Sequence, residues 1–159
     1  MKKVLFLLSS ILLLSSCSET EPVIYDPNSS QGLLYFSRTS AQLAIEIDAT
    51  GSLVVPINVS NLSDVDRVVT IEIDEDQSTA DPQNYTLQST SITIPAGEYT
   101  ANVVLDGVDV TAETDPELLV LRIVNFSDAS AAINASPLVI SVVQVCPIPE
   151  GTFVGNYLI

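Results

Sequence analysis

The sequence predicts an all-β protein, a two-sheet antiparallel β-sandwich of seven or eight strands behind an N-terminal targeting segment. Three observations lead there. Aliphatic and β-branched residues recur with period two in run after run, with polar residues at many of the alternate positions. Turn-forming clusters such as Asn61-Leu62-Ser63-Asp64, Pro95-Ala96-Gly97 and Asp106-Gly107 separate the runs. No window of 11 or more residues holds a helical period. Short strands with one apolar face bury that face by stacking one sheet on another.

The chain opens on Met1-Lys2-Lys3, a short positive segment, and continues into the apolar run Val4 to Leu14, broken only by Ser9 and Ser10. That run has the length of a signal-peptide core and falls short of the roughly 20 residues that span a bilayer. It ends in Leu14-Ser15-Ser16-Cys17. This stretch resembles the lipobox of bacterial lipoprotein signal peptides, which is Leu, two small residues and then Cys. The resemblance implies removal of residues 1–16 and acylation of Cys17, first on its thiol and then on its new amine. Each buried acyl CH₂ contributes about 0.8 kcal/mol, so several chains together hold a protein on a membrane. Ser18 rather than Asp follows the cysteine, which in such lipoproteins favours the outer membrane. Glu19 and Glu21 resemble the acidic stretches that mark some lipoproteins for the cell surface. The expected place is the cell envelope, lipid-anchored, at the outer membrane and surface-exposed. Residues 17–30, with Pro22, Pro27, Asn28, Ser29 and Ser30 and no sustained period, read as the lipidated N-terminus and a tether.

The strands follow in order over residues 31–145. Leu33 to Phe36 starts the first. Leu43, Ile45 and Ile47 form the second, and Leu53, Val55, Ile57 and Val59 the third, where Pro56 argues for an edge strand or a bulge. Val69, Ile71 and Ile73 come next. Tyr99, Ala101, Val103 and Leu105, then Leu119, Leu121 and Ile123, then Leu138, Ile140 and Val142 complete the series. Asp128 to Ala135, rich in Ala and Ser, reads as a turn or loop. Residues 146–159 read as a linker and the opening strand of a further region. Cys146 has no partner once Cys17 is lipidated, so any partner is expected downstream.

Composition narrows function. The chain of 159 residues carries 5 Lys+Arg against 20 Asp+Glu, with no His, for a net charge of −15. Phosphate contacts need cations this chain lacks, which excludes nucleic acid as a partner. The missing histidine removes Ser-His-Asp and Cys-His nucleophiles and His-based metal sites. Loss of residues 1–16 removes Lys2 and Lys3 and leaves Arg38, Arg67 and Arg122 as the cations of the mature chain. They are expected to pair with neighbouring carboxylates.

The stretch Ser78-Thr79-Ala80-Asp81-Pro82-Gln83-Asn84-Tyr85-Thr86, followed by Ser91-Ile92-Thr93-Ile94-Pro95-Ala96-Gly97-Glu98, resembles the Calx-β domain. The exit Val124-Asn125-Phe126-Ser127-Asp128-Ala129 is similar to that family's too. The immunoglobulin-like N-terminal domain of many surface lipoproteins shares the Tyr-Thr-Leu and Ile-Pro-Ala-Gly-Glu signature. The resemblance implies an immunoglobulin-like sandwich of about seven strands, used at cell surfaces as an adhesive or spacer module, with calcium bound by acidic loops in some members. This chain departs from the pattern. Asn84 stands where the family has Asp, the Asp-Asp pair is reduced to Asp106-Gly107, and the Glu-x-Asp-Glu run becomes Glu113-Thr114-Asp115-Pro116-Glu117.

The calcium candidates are Asp74 and Asp76, with Glu75 and Asp81 nearby, and Asp106, Asp109, Glu113, Asp115 and Glu117. Calcium takes six to eight oxygens, and both clusters fall at strand ends. The competing reading is that the acidic loops keep a surface protein soluble. Paired carboxylates also serve glycosidases, but those need a cleft, and the chain has no Trp to platform a sugar. The expectation is therefore a non-enzymatic, membrane-anchored lipoprotein with a structural, adhesive or spacer sandwich and no obligatory cofactor. Its alternative is a calcium-dependent or glycan- or protein-binding module.

Overall fold

Period-two patterning emerges as ten strands in the computed structural model, which describes residues 31–146. They are β1 (Gly32–Phe36), β2 (Ser40–Glu46), β3 (Thr50–Val59), β4 (Arg67–Ile73), β5 (Tyr85–Leu87), β6 (Ser91–Ile94), β7 (Thr100–Val108), β8 (Glu117–Phe126), β9 (Ala131–Ile133) and β10 (Leu138–Val145). The expectations for residues 1–30 and 147–159 lie outside the described residues. The strands build two sheets of five, ordered β5-β7-β3-β1-β9 and β2-β10-β8-β4-β6. The only helical element among the described residues is a 3₁₀ turn over Pro82–Asn84.

The apolar half of each alternation lies between the sheets. Leu34, Ile57 and Leu105 from the first sheet meet Leu43, Ile71, Leu119, Leu121 and Ile140 from the second in one core. Burying each such side chain contributes about 1.5–3 kcal/mol, which makes this layer the main source of stability. The sandwich is tight where the sheets close. A Cβ at Gly51 would come within 2.2 Å of the Ala44 carbonyl oxygen, and one at Gly107 within 2.8 Å of Ile45 Cγ1.

Three details differ from expectation. The count rises to ten because β5 and β9 are three-residue strands that carry too little pattern to be read alone. The Ala/Ser stretch read as a loop contains β9. Alanine has little β preference, and its strand state comes from parallel pairing with β1, Gly32↔Ala131 to Leu34↔Ile133. A second parallel pair joins β2 to β10. The N-terminal part of the domain thus contributes one strand to each sheet, changing sheets across Ser37–Thr39, while the other pairings are antiparallel.

The third difference is a correction to Pro56. It lies on β3, an interior strand between β7 and β1, with no register shift. Alternation explains the tolerance. Val59 donates to Tyr99 of the β7 side, while Ser60 donates to Leu33 of β1. Even-numbered positions of β3 therefore turn their N–H toward β1, which ends at Phe36 opposite Ile57. The missing donor of Pro56 falls where that neighbour departs, and its carbonyl still accepts from the Ser37 N–H at 2.9 Å.

The registers sort the loops onto two ends. Gly32, the 60–66 loop, the 95–99 turn and the 127–130 loop share one end, where Gly32 N–H donates to Ser130 O and Gly97 N–H to Ser63 O, both at 2.9 Å. The 47–49 turn, the 74–84 segment, the 109–116 loop and the end of β10 share the other. There Asp109 N–H donates to Ala49 O at 3.1 Å and Ile47 N–H to Val145 O at 3.3 Å. The chain enters at the first end and leaves at the second. The strand β3 runs about 30 Å between them at about 3.4 Å per residue.

Arg67 closes the entry end. It is buried, donates from Nη1 to Asn61 O at 2.9 Å and from Nη2 to Glu98 O at 2.8 Å, and lies 5.9 Å from the Phe126 ring centre. It also lies 3.6 Å from Asp128. Burial pushes the Asp128 carboxyl upward, but the Ser130 hydrogen bonds and the Arg67 charge outweigh it and hold it below the usual carboxylate range.

Candidate functional site: the acidic loops of the exit end

The exit end collects polar side chains from three loops, and local sequence explains how each is held. Asp81 precedes Pro82 and caps the 3₁₀ turn, accepting from Gln83 N–H at 2.9 Å. That bond leads the causes that lower its pKa, ahead of the Thr111 hydroxyl, which donates to Oδ2 at 3.1 Å. The Asp81 N–H donates to Glu117 Oε2 at 3.1 Å. Asn84, at the end of the turn, is fully buried. Its Oδ1 accepts from Thr111 N–H at 2.9 Å and Val110 N–H at 3.3 Å, docking the 109–116 loop onto the turn. Its Nδ2 is buried without a hydrogen-bond partner. Beside it, burial raises the Tyr85 pKa, with Glu75 and Asp81 adding to the rise.

Asp109 organises the neighbouring corner. Its Oδ2 accepts from Asp48 N–H at 2.8 Å and from Gln144 Nε2 at 2.9 Å. Asp48 occupies the left-handed region at φ 57°, which Asp tolerates better than most residues. Gln144 N–H donates to Glu113 O at 2.8 Å, so β10 is tied to the same loop.

The remaining carboxylates point elsewhere. Asp106-Gly107, expected as a turn between strands, instead continues β7, because both residues pair with β3 on one side and β5 on the other. There Asp106 accepts from Ser52 Oγ at 3.1 Å and Gln88 Nε2 at 2.7 Å. Asp74 accepts from Arg122 Nε, the largest cause of its lowered pKa, and from Gln77 N–H. That pair lies in an open groove of about 770 Å³ along the paired strands β4 and β8, lined also by Glu72, Asp76 and Thr90. Two of the three arginines thus pair with carboxylates, as expected. Cys146 is exposed and unpaired beyond the end of β10.

The structure brings Asp81 to Glu117 and Asp48 to Asp109, while Asp74 and Asp106 take other hydrogen-bond partners. Among the described residues, no three His, Cys, Asp or Glu side chains gather closely enough to hold a metal ion. The sequence reading missed Asp48, Thr111 and Gln144. Asp48 had a local signal, since Asp48-Ala49-Thr50-Gly51 is turn chemistry between two strands. Thr111 and Gln144 had none, because their roles depend on loops brought close by the fold.

Comparison with known proteins adds three findings. Residues 1–18 match the family model for the prokaryotic membrane lipoprotein lipid attachment site. No curated protein matches the chain. Solved structures share the fold. The apo-form Calx CBD1 domain aligns at TM-score 0.59 and 11% identity, covering 73% of this chain and 99% of that one. The calcium binding domain CBD12 of CALX1.1 aligns at TM-score 0.56 and 12% identity, covering 70% and 45%. A Bacteroides ovatus protein of unknown function aligns at TM-score 0.59 and 17% identity, covering 76% and 47%. The chain spans about half the length of the latter two. It is a lipid-anchored protein of the cell envelope with a Calx-β-like sandwich.

Proposed function

We propose that this lipid-anchored sandwich is a non-enzymatic spacer that carries whatever follows it away from the membrane, with an adhesive role at the cell surface open to the same architecture. The observation that carries the reading is the placement of the two chain ends. Entry at Gly32 and exit at Val145 lie at opposite ends of strands about 30 Å long. Each sheet is stiffened along that axis by long antiparallel ladders, nine registered pairs between β3 and β7 among them. Ser18, Glu19 and Glu21 support an outer-membrane, outward-facing placement.

The test uses Cys146 as a handle. The full acylated chain, labelled there with a donor dye, is placed on vesicles carrying an acceptor lipid. Weak transfer from Cys146, with strong transfer from a label placed at the entry end, supports a spacer. Equal transfer from both would show the domain lying flat and overturn it. A Cys17→Ala chain that still partitions with membranes would overturn the anchor.

The second reading is a calcium-dependent or glycan- or protein-binding module. Its support is the concentration of Asp48, Asp81 and Asp109 on loops of one end, with Glu117 at the start of β8 beside them, together with the calcium binding structure named above. Against it stand Asn84 in place of Asp and the lack of a three-carboxylate group among the described residues. A thermal melt decides, because a ligand bound only by the native state raises its stability. Equal melting temperatures in calcium and in chelator would remove calcium from the reading.

A further inference from the structure

We infer that the entry end of the sandwich is itself a membrane-contact surface, seating on the bilayer that holds the acyl chains. The inference rests on the lipid anchor and goes beyond it, since an anchor alone requires nothing of the domain's own surface.

Two loops meet at this end and expose apolar side chains. Leu62 is 51% exposed and Val65 is 67% exposed on the 60–66 loop, and Tyr99 is 49% exposed beside the 95–98 turn. They are held together rather than scattered. Ser63 O accepts from Gly97 N–H at 2.9 Å, Asp66 Oδ1 accepts from Ala96 N–H at 2.8 Å, and Val59 N–H donates to Tyr99 O at 2.8 Å. Arg67 fixes both loops from beneath through Asn61 O and Glu98 O. Large apolar side chains at loop tips lose contact with water if the loops meet a lipid surface, and tyrosine suits the headgroup level, with an apolar ring and a polar tip.

Chain geometry names the occupant. The lipidated Cys17 and Gly32 are 15 residues apart in sequence. That length reaches at most about 50 Å, and it joins the domain at this same end. The bilayer is therefore present at high effective concentration, and a weak contact suffices. Charge selects the lipid. Arg67 is buried, while Asp64, Asp66 and Glu98 are exposed beside the apolar tips, so uncharged or zwitterionic headgroups fit and anionic ones are repelled.

The chain contains no Trp, so one introduced Trp reports cleanly. The acylated full chain carrying Tyr99→Trp is placed on phosphatidylcholine vesicles whose acyl chains are brominated just below the headgroups. The expected result is loss of at least half of the Trp emission, with little loss for Val110→Trp at the exit end. Adding Leu62→Ser and Val65→Ser to the Tyr99→Trp chain is expected to reduce the quenching several-fold, and phosphatidylglycerol in the vesicles to weaken it. Equal quenching at the two ends would overturn the inference. So would quenching indifferent to Leu62 and Val65, because proximity would then come from the tether alone. Release of the entry end with Cys146 still held far from the membrane would leave the spacer reading intact.

Discussion

Arg67 Nη1 stands 3.6 Å from Asp128 Oδ2, with the guanidinium side chain 1% exposed and the carboxylate 20% exposed. The cation is walled in by two loop carbonyls and an aromatic face, so its role is to close the entry end of the core. Removing it strands the Asn61 and Glu98 carbonyls. Arg67→Ala is expected to cost about 3 kcal/mol, seen as a lower urea midpoint. Arg67→Lys is expected to recover little, because a single ammonium cannot reproduce a fork that reaches two loops.

The same pair predicts a pH dependence. A carboxylate held below its ordinary pKa contributes stability above its unfolded value near 3.8, and loses it as pH falls through the lower folded value. Asp128, Asp81 and Asp74 all lie on that side. Unfolding midpoints should therefore fall as pH drops below about 4, and Asp128→Asn should flatten that fall. A midpoint unchanged by acid would show that these contacts do not act in solution.

Two glycines should respond differently to alanine. Gly51→Ala places a Cβ against the Ala44 backbone, which cannot move without parting β2 from β3. A loss of about 2 kcal/mol or more is expected there. Gly97→Ala meets no atom within 4 Å, but φ is +78°, so the cost is conformational and about 1 kcal/mol. Thermal melts of the two variants measure the difference.

Asn84→Ala should loosen the exit end. Its Oδ1 docks the 109–116 loop through Val110 and Thr111 from a fully buried position. A loss of about 2 kcal/mol is expected, with faster hydrogen exchange at the Val110 and Thr111 amides.

Arg122→Ala should lower the urea midpoint only slightly, since its side chain is 37% exposed and water screens the pair with Asp74. The Asp74 pKa should nevertheless rise toward its ordinary value. An NMR titration of the carboxyl carbon reads this directly.

Much of the fold was legible because burial imposes a period. Leu43-Ala44-Ile45 and Val55-Pro56-Ile57-Asn58-Val59 alternate because every second side chain enters the core. Ala131-Ala132-Ile133 was illegible because nothing in three small residues distinguishes a strand from a loop. Its state is set by β1, almost a hundred residues earlier. The acidic loops were legible as loops, except that Asp106 and Glu117 lie on β7 and β8, and their grouping was not legible. Asp81 and Glu117 meet across 36 residues of sequence, and Asp48 and Asp109 across 61.

Local sequence carries the lipid attachment site within residues 1–18, the strand-forming runs and the acidity of the turns between them. Each is a local property, written in residue type and short spacing. The tertiary structure alone decided which loops share an end, where the chain enters and leaves, and which carboxylates find partners. Those follow from strand register, which fixes neighbours far apart in the chain and leaves no mark in any one segment.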